Sequence, residues 1–468
     1  ISVCLKCAVY CSKYTPLNAI TMKVTIFAFG RTGCRIADKL KEYEIHQKES
    51  IINDIVAYDT ASKQLTTLDH INDEDKQVFA TDEFDKKGSP GFINDVVPHM
   101  KKLRGHIMQN AHGLSRVDDN AILVIGSLGG GTGSAAMPRA SKIIRQAVGN
   151  TPVYGIAILP HSSETGVYTL NAAKSIQSLS RETDNVILFD NDNFNISLPS
   201  KYTNKTLDNT YGEINNHIAR QIHIIFSADE SKRGKHGLET TLIDTADIIN
   251  TLGTGGLSTL SYNSYEIPKA AKGGVVGFLH EMGHSVSTAT KEKLHSIREF
   301  GESTTSKATD NEESNPNEDN ETSMQLDSDV ETTDISQYQR EWAVPSDLLP
   351  YSLHRENLSM DCNPKDGVKR LCLLIGPAKQ LSTQQCTESS KWIQKNTNAD
   401  ETIVGNYPKR ANKIAVLTIN SGVGIPQRLR SQQQEALNVR REILNEDRKI
   451  TAKSVDVFDE LEAVVPAI

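Results

Sequence analysis

From Met22 onward, short apolar runs alternate with longer segments that have the length and spacing of helices. Short apolar runs bounded by turn residues are typical of buried strands, and glycine-containing turns at the strand ends are typical of a parallel α/β sheet. Ligands of such sheets bind at the carboxyl edge of the strands. The pattern in this first part predicts strands at Lys23–Phe29, Ile52–Tyr58, Ala121–Ile125, Val153–Leu159 and Asn185–Asp190, and helices at Cys34–Glu44 and Ala135–Val148.

A second set of elements follows a long helix. We expect this helix at Leu207–Ile225 and a shorter one at Thr241–Leu252. Closer to the carboxyl terminus, apolar runs again alternate with helix-length segments, which indicates a second, smaller α/β domain. Its predicted strands are Arg370–Leu374, Glu401–Val404 and Lys413–Thr418, and its predicted helices are Ser382–Lys395 and Gln427–Asn438.

Two segments do not follow this pattern. Between Gly301 and Gln339 the chain is rich in Ser, Thr, Asn, Asp and Glu, and only Lys307 is basic. Such a segment buries too little apolar surface to offset its ordering entropy, so we expect residues 301–340 to be a disordered acidic insertion. The chain begins with Ile1 and its first methionine is Met22, so we expect residues 1–21 to be a non-native or disordered leader.

Composition narrows the class of protein. A length of 468 residues favours two domains plus some disordered chain. The formal net charge of −8 does not favour a nucleic-acid partner, and no stretch approaches the roughly 20 apolar residues that cross a bilayer, so we expect no direct membrane insertion. Seven scattered cysteines argue against a disulfide framework. We therefore expect a cytoplasmic protein.

The most informative motif is Gly126-Ser-Leu-Gly-Gly-Gly-Thr-Gly-Ser134, which lies between a predicted strand and a predicted helix. Consecutive glycines let the backbone approach an anion closely, and their N–H groups together with the helix N-terminus form an anion cradle. Thr132 and Ser134 add hydroxyl donors. The motif is neither a Walker A sequence nor the dinucleotide fingerprint. Taken alone, it could also be a tight turn.

This motif resembles the Gly-Gly-Gly-Thr-Gly-Ser/Thr-Gly signature of the tubulin/FtsZ superfamily, with Ala135 in place of the last glycine. The resemblance continues in order along nearly the whole chain after Met22. It implies an α/β fold with an N-terminal parallel-sheet GTP-binding domain, a long central helix and a smaller C-terminal α/β domain. It also implies GTP or GDP as the bound nucleotide, with Mg²⁺ held chiefly by phosphates and waters and no dedicated protein metal site.

The resemblance assigns further residues to the nucleotide site. Phe29-Gly-Arg-Thr-Gly33 corresponds to the first phosphate loop, Ala57-Tyr-Asp-Thr-Ala61 to the second, and Gly88-Ser-Pro-Gly91 to the third. Tyr211 and Asn215 fall on the central helix, where the family stacks an aromatic ring on guanine and reads the edge of the base with an amide. The nucleotide-binding residues expected in this way are Gly30, Arg31, Thr32, Gly33, Asp59, Gly88, Gly129, Gly130, Gly131, Thr132, Gly133, Ser134, Glu164, Asn171, Asn191, Tyr211 and Asn215.

Within the superfamily, four segments resemble the archaeal tubulin-like CetZ group, which is linked to cell shape: Leu159–Asn171, Asp247–Gly256, Gly405–Pro408 and Ser421–Val423. The resemblance implies head-to-tail self-assembly, with a membrane adaptor protein as a further candidate partner. The expected organisation is a leader at 1–21, a GTP-binding domain at 22–206, a central helix at 207–235, a catalytic loop with the start of the C-terminal domain at 236–300, the insertion at 301–340 and a C-terminal α/β domain at 341–468.

Asp244 and Asp247 match the acidic residues of the family's catalytic loop, Asn-x-Asp-x-x-Asp, while Leu242 replaces its asparagine. In the family this loop completes the active site of the next subunit, so the resemblance implies a GTPase that depends on assembly. A carboxylate in that position can orient or activate the attacking water. From the residues alone, both aspartates could equally be an N-cap and a first-turn acid of a helix.

Two other functions remain open at the level of sequence. His280-Glu-Met-Gly-His284 matches the zincin pattern, with Glu281 as the base and His295 or Glu299 as a third ligand, so a zinc metalloprotease is a distant alternative. The stronger alternative is a nucleotide-bound structural or regulatory protein that neither polymerises nor hydrolyses GTP, because Arg31, Ala135 and Leu242 depart from the family pattern.

Overall fold

The computed structural model describes residues 22–48, 50–84, 86–89, 91–114, 121–164, 166–197, 207–228, 243–267, 344–363, 365–409 and 413–446. The expected leader and the expected acidic insertion both lie outside these residues, as do Leu242 and the whole zincin-like segment. The elements described below belong to one compact unit that takes in Ile1–Tyr265 and Val344–Ile468. The second unit, Glu266–Ala343, lies almost entirely outside the described residues.

Ten strands and twelve α-helices are described, numbered here in chain order. The strands are β1 Val24–Phe29, β2 Ile52–Asp59, β3 Lys76–Val78, β4 Ala121–Ser127, β5 Val153–Leu159, β6 Asn185–Asp190, β7 Leu257–Glu266, β8 Lys369–Gly376, β9 Glu401–Pro408 and β10 Lys413–Val423. The helices are α1 Gly30–Gln47, α2 Ser62–Leu65, α3 Thr81–Phe84, α4 Ile93–Leu114, α5 Gly131–Val148, α6 Val167–Glu182, α7 Asn191–Ser197, α8 Leu207–Ser227, α9 Thr245–Leu252, α10 Leu349–Ser352, α11 Thr383–Asn396 and α12 Gln427–Glu446.

All ten strands form a single sheet with the order β3-β2-β1-β4-β5-β6-β7-β10-β8-β9. The first six strands are parallel, as the sequence pattern predicted. The later strands continue the sheet through a short parallel ladder in which Val186 and Ile187 of β6 pair with Leu257 and Ser258 of β7. Beyond this junction β10 runs antiparallel to β8, so the sheet is mixed at this end. The expected fold class is therefore confirmed, whereas the expected domain boundaries stay a prediction.

Helices cover both faces of the sheet, and the alternation of side chains along the strands explains why. Ile26 of β1 belongs to one buried apolar cluster together with Ile36 of α1 and Ile218 of α8. The next residue, Phe27, belongs to a second cluster that includes Val96 of α4. Successive side chains of a strand point to opposite faces, so a strand whose residues are all apolar needs a helix layer on each side. The continuous apolar runs seen in the sequence are the signature of this arrangement.

The structure extends several predicted elements and adds others. The third glycine of the loop, Gly131, is already helical, so α5 starts four residues before the predicted Ala135. The pattern missed α4, because Pro98 and Gly105 interrupt its apolar periodicity. It also missed β7, which is buried along its first half but is rich in serine and threonine; those hydroxyls find partners, as when Ser258 Oγ donates to Ser421 Oγ at 2.9 Å. None of the described helices has the length and apolar character needed to span a membrane.

Candidate functional site

The strand order places a crevice between β1 and β4. The chain proceeds from β1 outward to β2 and β3 on one side and from β4 to β5 and β6 on the other, so the direction of winding reverses between β1 and β4. Ligands of open α/β sheets bind at such a switch point, outside the carboxyl ends of the strands. The turn from β1 into α1 at Gly30 and the turn from β4 into α5 at Gly131 both lie there. The two glycine-containing turns singled out in the sequence are thus neighbours.

The backbones of these two turns approach so closely that glycine is required. A Cβ on Gly33 would lie 2.3 Å from the Ile125 carbonyl oxygen, and one on Gly133 would lie 2.4 Å from the Ser127 carbonyl oxygen. Gly30 has a φ of +71°, and its Cβ would lie 3.3 Å from the Gly133 nitrogen. The predicted residues Gly30, Gly33 and Gly133 therefore allow the two turns to pack directly against the neighbouring backbone.

Both helices that start at the crevice present uncapped N-termini. Neither α1 nor α5 has a side-chain cap or an acidic residue in its first turn. The first N–H groups of a helix have no partner within the helix, and the helix dipole makes this end positive. Two such ends at one crevice suit an anion with several charged oxygens. A Cβ built on Gly130, which precedes α5, meets no atom within 4 Å, so the approach to this N-terminus is open.

A chain of hydroxyl contacts joins three of the predicted loops. The Oγ1 atoms of Thr60 and Thr132 lie 2.9 Å apart, and the Ser89 backbone N–H donates to Thr60 Oγ1 at 3.0 Å. Thr132, expected to face the phosphates, is thus anchored to the end of β2. The hydroxyl of Ser134 donates to the Gly130 carbonyl oxygen within α5, and its role as a nucleotide ligand stays a prediction. Gly88, with a φ of +106°, packs against the same junction.

Asn171 of α6 connects two loops directly. Its side-chain nitrogen donates to the carbonyl oxygens of Gly91 and Gly129, both at 2.7 Å. The side chain is buried, and its amide has two N–H groups, so these two bonds use its donors fully. The sequence predicted Asn171 as a nucleotide-binding residue, which stays a prediction; in the structure its amide also sets the spacing between the third phosphate loop and the glycine-rich loop.

Asp59, at the carboxyl end of β2, is a buried carboxylate. Its Oδ1 accepts the Ala61 backbone N–H at 2.9 Å, while Oδ2 is buried without a hydrogen-bond partner. Burial raises the pKa of Asp59 to about 6, against a smaller opposing effect of backbone N–H groups and of the Arg31 charge. A buried carboxylate oxygen with no donor is costly unless a cation or a bound water meets it. Because the Arg31 charge lowers the pKa of Asp59, these two predicted residues lie close to each other.

The base end of the predicted site is formed by α8 and the loop after β5. Tyr211 Oη donates to Glu164 Oε1 at 3.0 Å, and burial together with this carboxylate raises the pKa of Tyr211 to about 12. The phenol is therefore neutral at physiological pH. Asn191, which follows β6, is 7% exposed, and Asn215 on α8 is 6% exposed. Buried amides need polar partners, so both positions suit recognition of a base edge.

The two predicted catalytic residues form a separate feature. Asp244 is the N-cap of α9, which packs against β8 and β10. Four strand spacings separate β10 from β4 in the sheet order, which amounts to on the order of 20 Å. Within one chain, Asp244 and Asp247 thus lie far from the glycine-rich loop. The structure shows Asp244 and Asp247 in the helix-capping role, which was one of the two roles that the sequence allowed for them.

Sequence reasoning did not single out three contributors to this site. Thr60 and Ser89 lie inside the quoted loops, and their hydroxyls became recognisable only once the strand ends were placed side by side. Arg428 comes from α12, and no local sequence pattern marked it as part of the site.

The zincin hypothesis is untested, because its residues lie outside the described part of the chain: His280, His284, His295 and Glu299. Within the part of the chain that the structure describes, no group of three or more His, Cys, Asp or Glu side chains is arranged to hold a metal ion.

Comparisons with known proteins agree with this geometry. Residues 23–198 match the model of the tubulin/FtsZ family GTPase domain, and residues 204–326 and 351–438 match that of the tubulin-like CetZ C-terminal domain. The tubulin-like protein CetZ1 of Haloferax volcanii is 30% identical over 89% of this chain and 92% of its own. CetZ3 of the same organism is 28% identical over 93% of this chain and 96% of its own.

Solved structures show the same fold. A GDP-bound CetZ1 monomer from Haloferax volcanii aligns with a TM-score of 0.65 and 24% identity, covering 90% of this chain and all of that one. A GTPγS-bound protofilament of CetZ2 from the same organism also aligns with a TM-score of 0.65, at 21% identity, covering 90% of this chain and 99% of that one. From the glycine-rich crevice, the strand order and these relatives together, the chain belongs to the tubulin-like CetZ family of the tubulin/FtsZ superfamily.

Proposed function

We propose that this protein binds GTP in the crevice between β1 and β4, assembles head to tail, and hydrolyses GTP only where one subunit meets the next. The observation that carries the proposal is the pair of uncapped, acid-free helix N-termini at Gly30 and Gly131. They suit the β- and γ-phosphates, whose charge the backbone N–H groups can balance. At the other end, Tyr211 would stack on guanine, and Asn191 and Asn215 would read its edge.

Asp59 fits the Mg²⁺ ion that accompanies GTP. Its Oδ2 atom is buried without a hydrogen-bond partner, and a hard cation or a water bound to it satisfies such an oxygen. Mg²⁺ is held mainly by phosphate oxygens and waters in sites of this kind, so a single carboxylate such as that of Asp59 is enough on the protein side. When bound, the ion neutralises charge between the β- and γ-phosphates.

The position of α9 supports the proposal that hydrolysis takes place between subunits. Asp244 and Asp247 lie on the order of 20 Å along the sheet from their own glycine-rich loop, so they cannot orient a water there. In a head-to-tail polymer, the same carboxylates would lie over the γ-phosphate of the neighbouring subunit. Asp247 would then orient or activate the attacking water, and the glycine-rich loop would hold the phosphates in line. The solved structure of the similar protein CetZ2 is a GTPγS-bound protofilament, which supports assembly of this kind.

The finer cellular role is also a proposal. Family membership supports a cytoplasmic filament that controls cell shape, with the domain boundaries given by the sequence and with a membrane adaptor protein as a further partner. The proposal includes no nucleic-acid partner, in keeping with the net charge of −8, and no direct insertion into the membrane.

GTP turnover per subunit, measured against protein concentration with light scattering alongside, tests the proposal. We expect turnover to rise above a threshold concentration that coincides with the onset of scattering, because the active site is complete only in the polymer. Turnover that is independent of concentration would contradict the shared active site. GTP binding without turnover or scattering would instead support a nucleotide-bound protein that neither polymerises nor hydrolyses GTP.

The alternative is a nucleotide-bound structural or regulatory protein without polymerisation or hydrolysis. A specific observation favours it: Asp244 and Asp247 already have a complete structural role as the cap of α9. A cap needs no catalytic role to explain the two acids. The concentration dependence of turnover separates the two functions, because only a polymer-dependent GTPase shows a threshold.

A further inference from the structure

Arg428 lies in the first turn of α12, and its guanidinium reaches the carboxyl edge of β5 and β6. Its Nε atom is 3.1 Å from Asp192 Oδ2 and 3.8 Å from Asp190 Oδ2. One of its terminal nitrogens donates to the Pro160 carbonyl oxygen at 3.3 Å. The side chain is only 19% exposed, and that of Asp190 is 2% exposed. Asp192 is 26% exposed and Arg428 Nε makes no hydrogen bond within the described part of the chain, so these are electrostatic contacts that are partly shielded from solvent, where opposite charges attract more strongly than on the surface.

The two carboxylates flank the residue proposed to read guanine. Asp190 ends β6, Asn191 follows it, and Asp192 is next, with the Asp192 backbone N–H donating to Asp190 Oδ1 at 3.1 Å. Two neighbouring carboxylates repel each other, and a guanidinium between them removes the repulsion. Arg428 is thus placed to restrain the peptide on both sides of Asn191.

Asp192 also contacts the loop after β5. Its Oδ1 atom accepts the Ser162 backbone N–H at 2.8 Å and lies 3.2 Å from His161 Nε2. The His161 backbone N–H in turn donates to Glu164 Oε1 at 3.1 Å, the same oxygen that accepts the hydroxyl of Tyr211. A continuous series of direct contacts therefore runs from α12 to the aromatic ring proposed to stack on the base.

We infer that Arg428 is a positioning residue for the nucleotide site, through which the C-terminal helix α12 controls how long a guanine nucleotide stays bound. The inference rests on the proposed function, since it assigns a task to the base end of that site. Arg428 does not touch the nucleotide; it fixes Asp190, Asp192 and the loop that carries Glu164. Its removal leaves two carboxylates close together without their cation, so the loop adopts other conformations and the base end opens more often.

The dissociation rate of a fluorescent GDP analogue, chased with excess GDP, measures this role. We expect Arg428→Gln to release the analogue roughly tenfold faster than the wild type, the order expected for loss of one partly buried charged contact. Arg430→Gln is the matched control, because Arg430 lies two residues further along the same helix with an exposed side chain. Its rate should stay within about twofold of the wild type, as for a surface charge. Arg428→Lys keeps one charge without the forked geometry and should restore part of the difference.

A double-mutant cycle separates positioning from a general loss of stability. Asp192→Asn should accelerate release in the same direction, and Arg428→Gln combined with Asp192→Asn should be no faster than the faster single variant, because both remove one contact. Unchanged release from Arg428→Gln, equal acceleration in Arg430→Gln, or additive effects in the double variant would each overturn the inference. If Arg428→Gln does not fold, the release rates of the GDP analogue from Asp192→Asn and Arg428→Lys test the inference in its place. Unchanged release from both variants would then overturn it. A wild type that does not bind the analogue refutes the proposed function itself, whereas binding with unaltered release refutes only the role of Arg428.

Discussion

Asp244 and Asp247 cap the same helix reciprocally. The Asp247 backbone N–H donates to Asp244 Oδ1 at 2.9 Å, and the Asp244 backbone N–H donates to Asp247 Oδ2 at 2.9 Å. This capping box satisfies two N–H groups at the start of α9 that would otherwise lack partners. The two acids that the family motif marks as catalytic therefore also form the helix end on which they are carried. A substitution at either position changes structure and chemistry together unless the replacement preserves the cap.

Asp247→Asn separates these two effects. Its side-chain oxygen can still accept the Asp244 N–H, so we expect thermal stability close to that of the wild type, while GTP turnover falls at least about 100-fold because the carboxylate charge is lost. Asp247→Ala should lose turnover equally and also destabilise the protein by about 1 kcal/mol through loss of the cap. Turnover and thermal unfolding of both variants check this. An active Asp247→Asn variant would assign the residue to structure alone.

The glycine-rich loop offers a matched pair of substitutions. A Cβ on Gly131 would lie 2.6 Å from Ser89 Oγ and 2.8 Å from the Gly91 carbonyl carbon, whereas a Cβ on Gly130 meets nothing within 4 Å. We expect Gly131→Ala to destabilise the nucleotide-free protein by about 1–3 kcal/mol through overpacking. Gly130→Ala should leave that stability nearly unchanged but weaken GTP binding at least about tenfold, because the methyl group occupies the anion's approach.

Denaturant unfolding without nucleotide and a GTP titration measure both effects for the Gly130→Ala and Gly131→Ala variants. Unchanged GTP affinity in Gly130→Ala would place the phosphates elsewhere. Unchanged stability in Gly131→Ala would show that the third phosphate loop moves away from α5 at little cost.

How much of this could be read from the sequence depends on the range of the interactions. The parallel strands were predictable because each carries its own apolar run, and Val153–Leu159 and Asn185–Asp190 have the bounds that the pattern predicts. The glycine-rich loop was predictable because its chemistry is contained in consecutive residues. The single sheet that continues from β6 into β7 was not, because only Val186 and Ile187 pair across that junction. A ladder of only two residue pairs leaves no recognisable pattern in the sequence of either strand.

The finer organisation of the site was out of reach for the same reason. Asn171 stood out only through resemblance, and its two hydrogen bonds join loops that are 42 and 80 residues away in the chain. Arg428 reaches Pro160 across 268 residues. Such contacts depend on the positions of α6 and α12 in the tertiary structure. The sequence of either helix alone does not predict those positions. Local reasoning identifies the groups that could bind a phosphate; the tertiary structure decides which polar side chains hold those groups in place.

Asn171→Ala tests whether the spacing of the loops matters. Removing the amide leaves the Gly91 and Gly129 carbonyl oxygens without their donor, which we expect to cost about 1–3 kcal/mol of stability and to weaken GTP binding at least about tenfold. Ser178→Ala is the control, since that serine is exposed on the same helix and its hydroxyl donates to the Lys174 carbonyl oxygen one turn away. Isothermal titration with GTP and thermal unfolding check both. Wild-type affinity in Asn171→Ala would show that the loops hold their spacing without this bridge.

Asp59 makes the stability of the nucleotide-free protein depend on pH. Its pKa is about 6 in the folded protein against an ordinary value of 3.8, because burial disfavours the charged form. Between these values the folded state holds a proton that the unfolded state has released, so this stabilisation is full below about pH 4 and is lost as the pH rises through about 6. Asp59→Asn removes the dependence. We therefore expect the nucleotide-free variant to exceed the wild type in stability by about 3 kcal/mol at about pH 7.5, by only about 1 kcal/mol at about pH 4.5, and by nearly nothing below about pH 3.

The measurement is urea unfolding of wild type and Asp59→Asn at several pH values without nucleotide or Mg²⁺. Asp190, whose pKa burial also raises to about 6, is present in both proteins, so the difference between them isolates Asp59. With GTP and Mg²⁺ added, the order should reverse, because the ion needs the charged carboxylate that the apo protein tolerates poorly. A difference that does not change with pH would mean that Asp59 keeps its ordinary pKa, and a variant that binds Mg²⁺ and GTP as tightly as the wild type would remove Asp59 from the metal site. A stabilised apo variant with weakened nucleotide binding would show that this carboxylate is kept for the ligand at the expense of the fold.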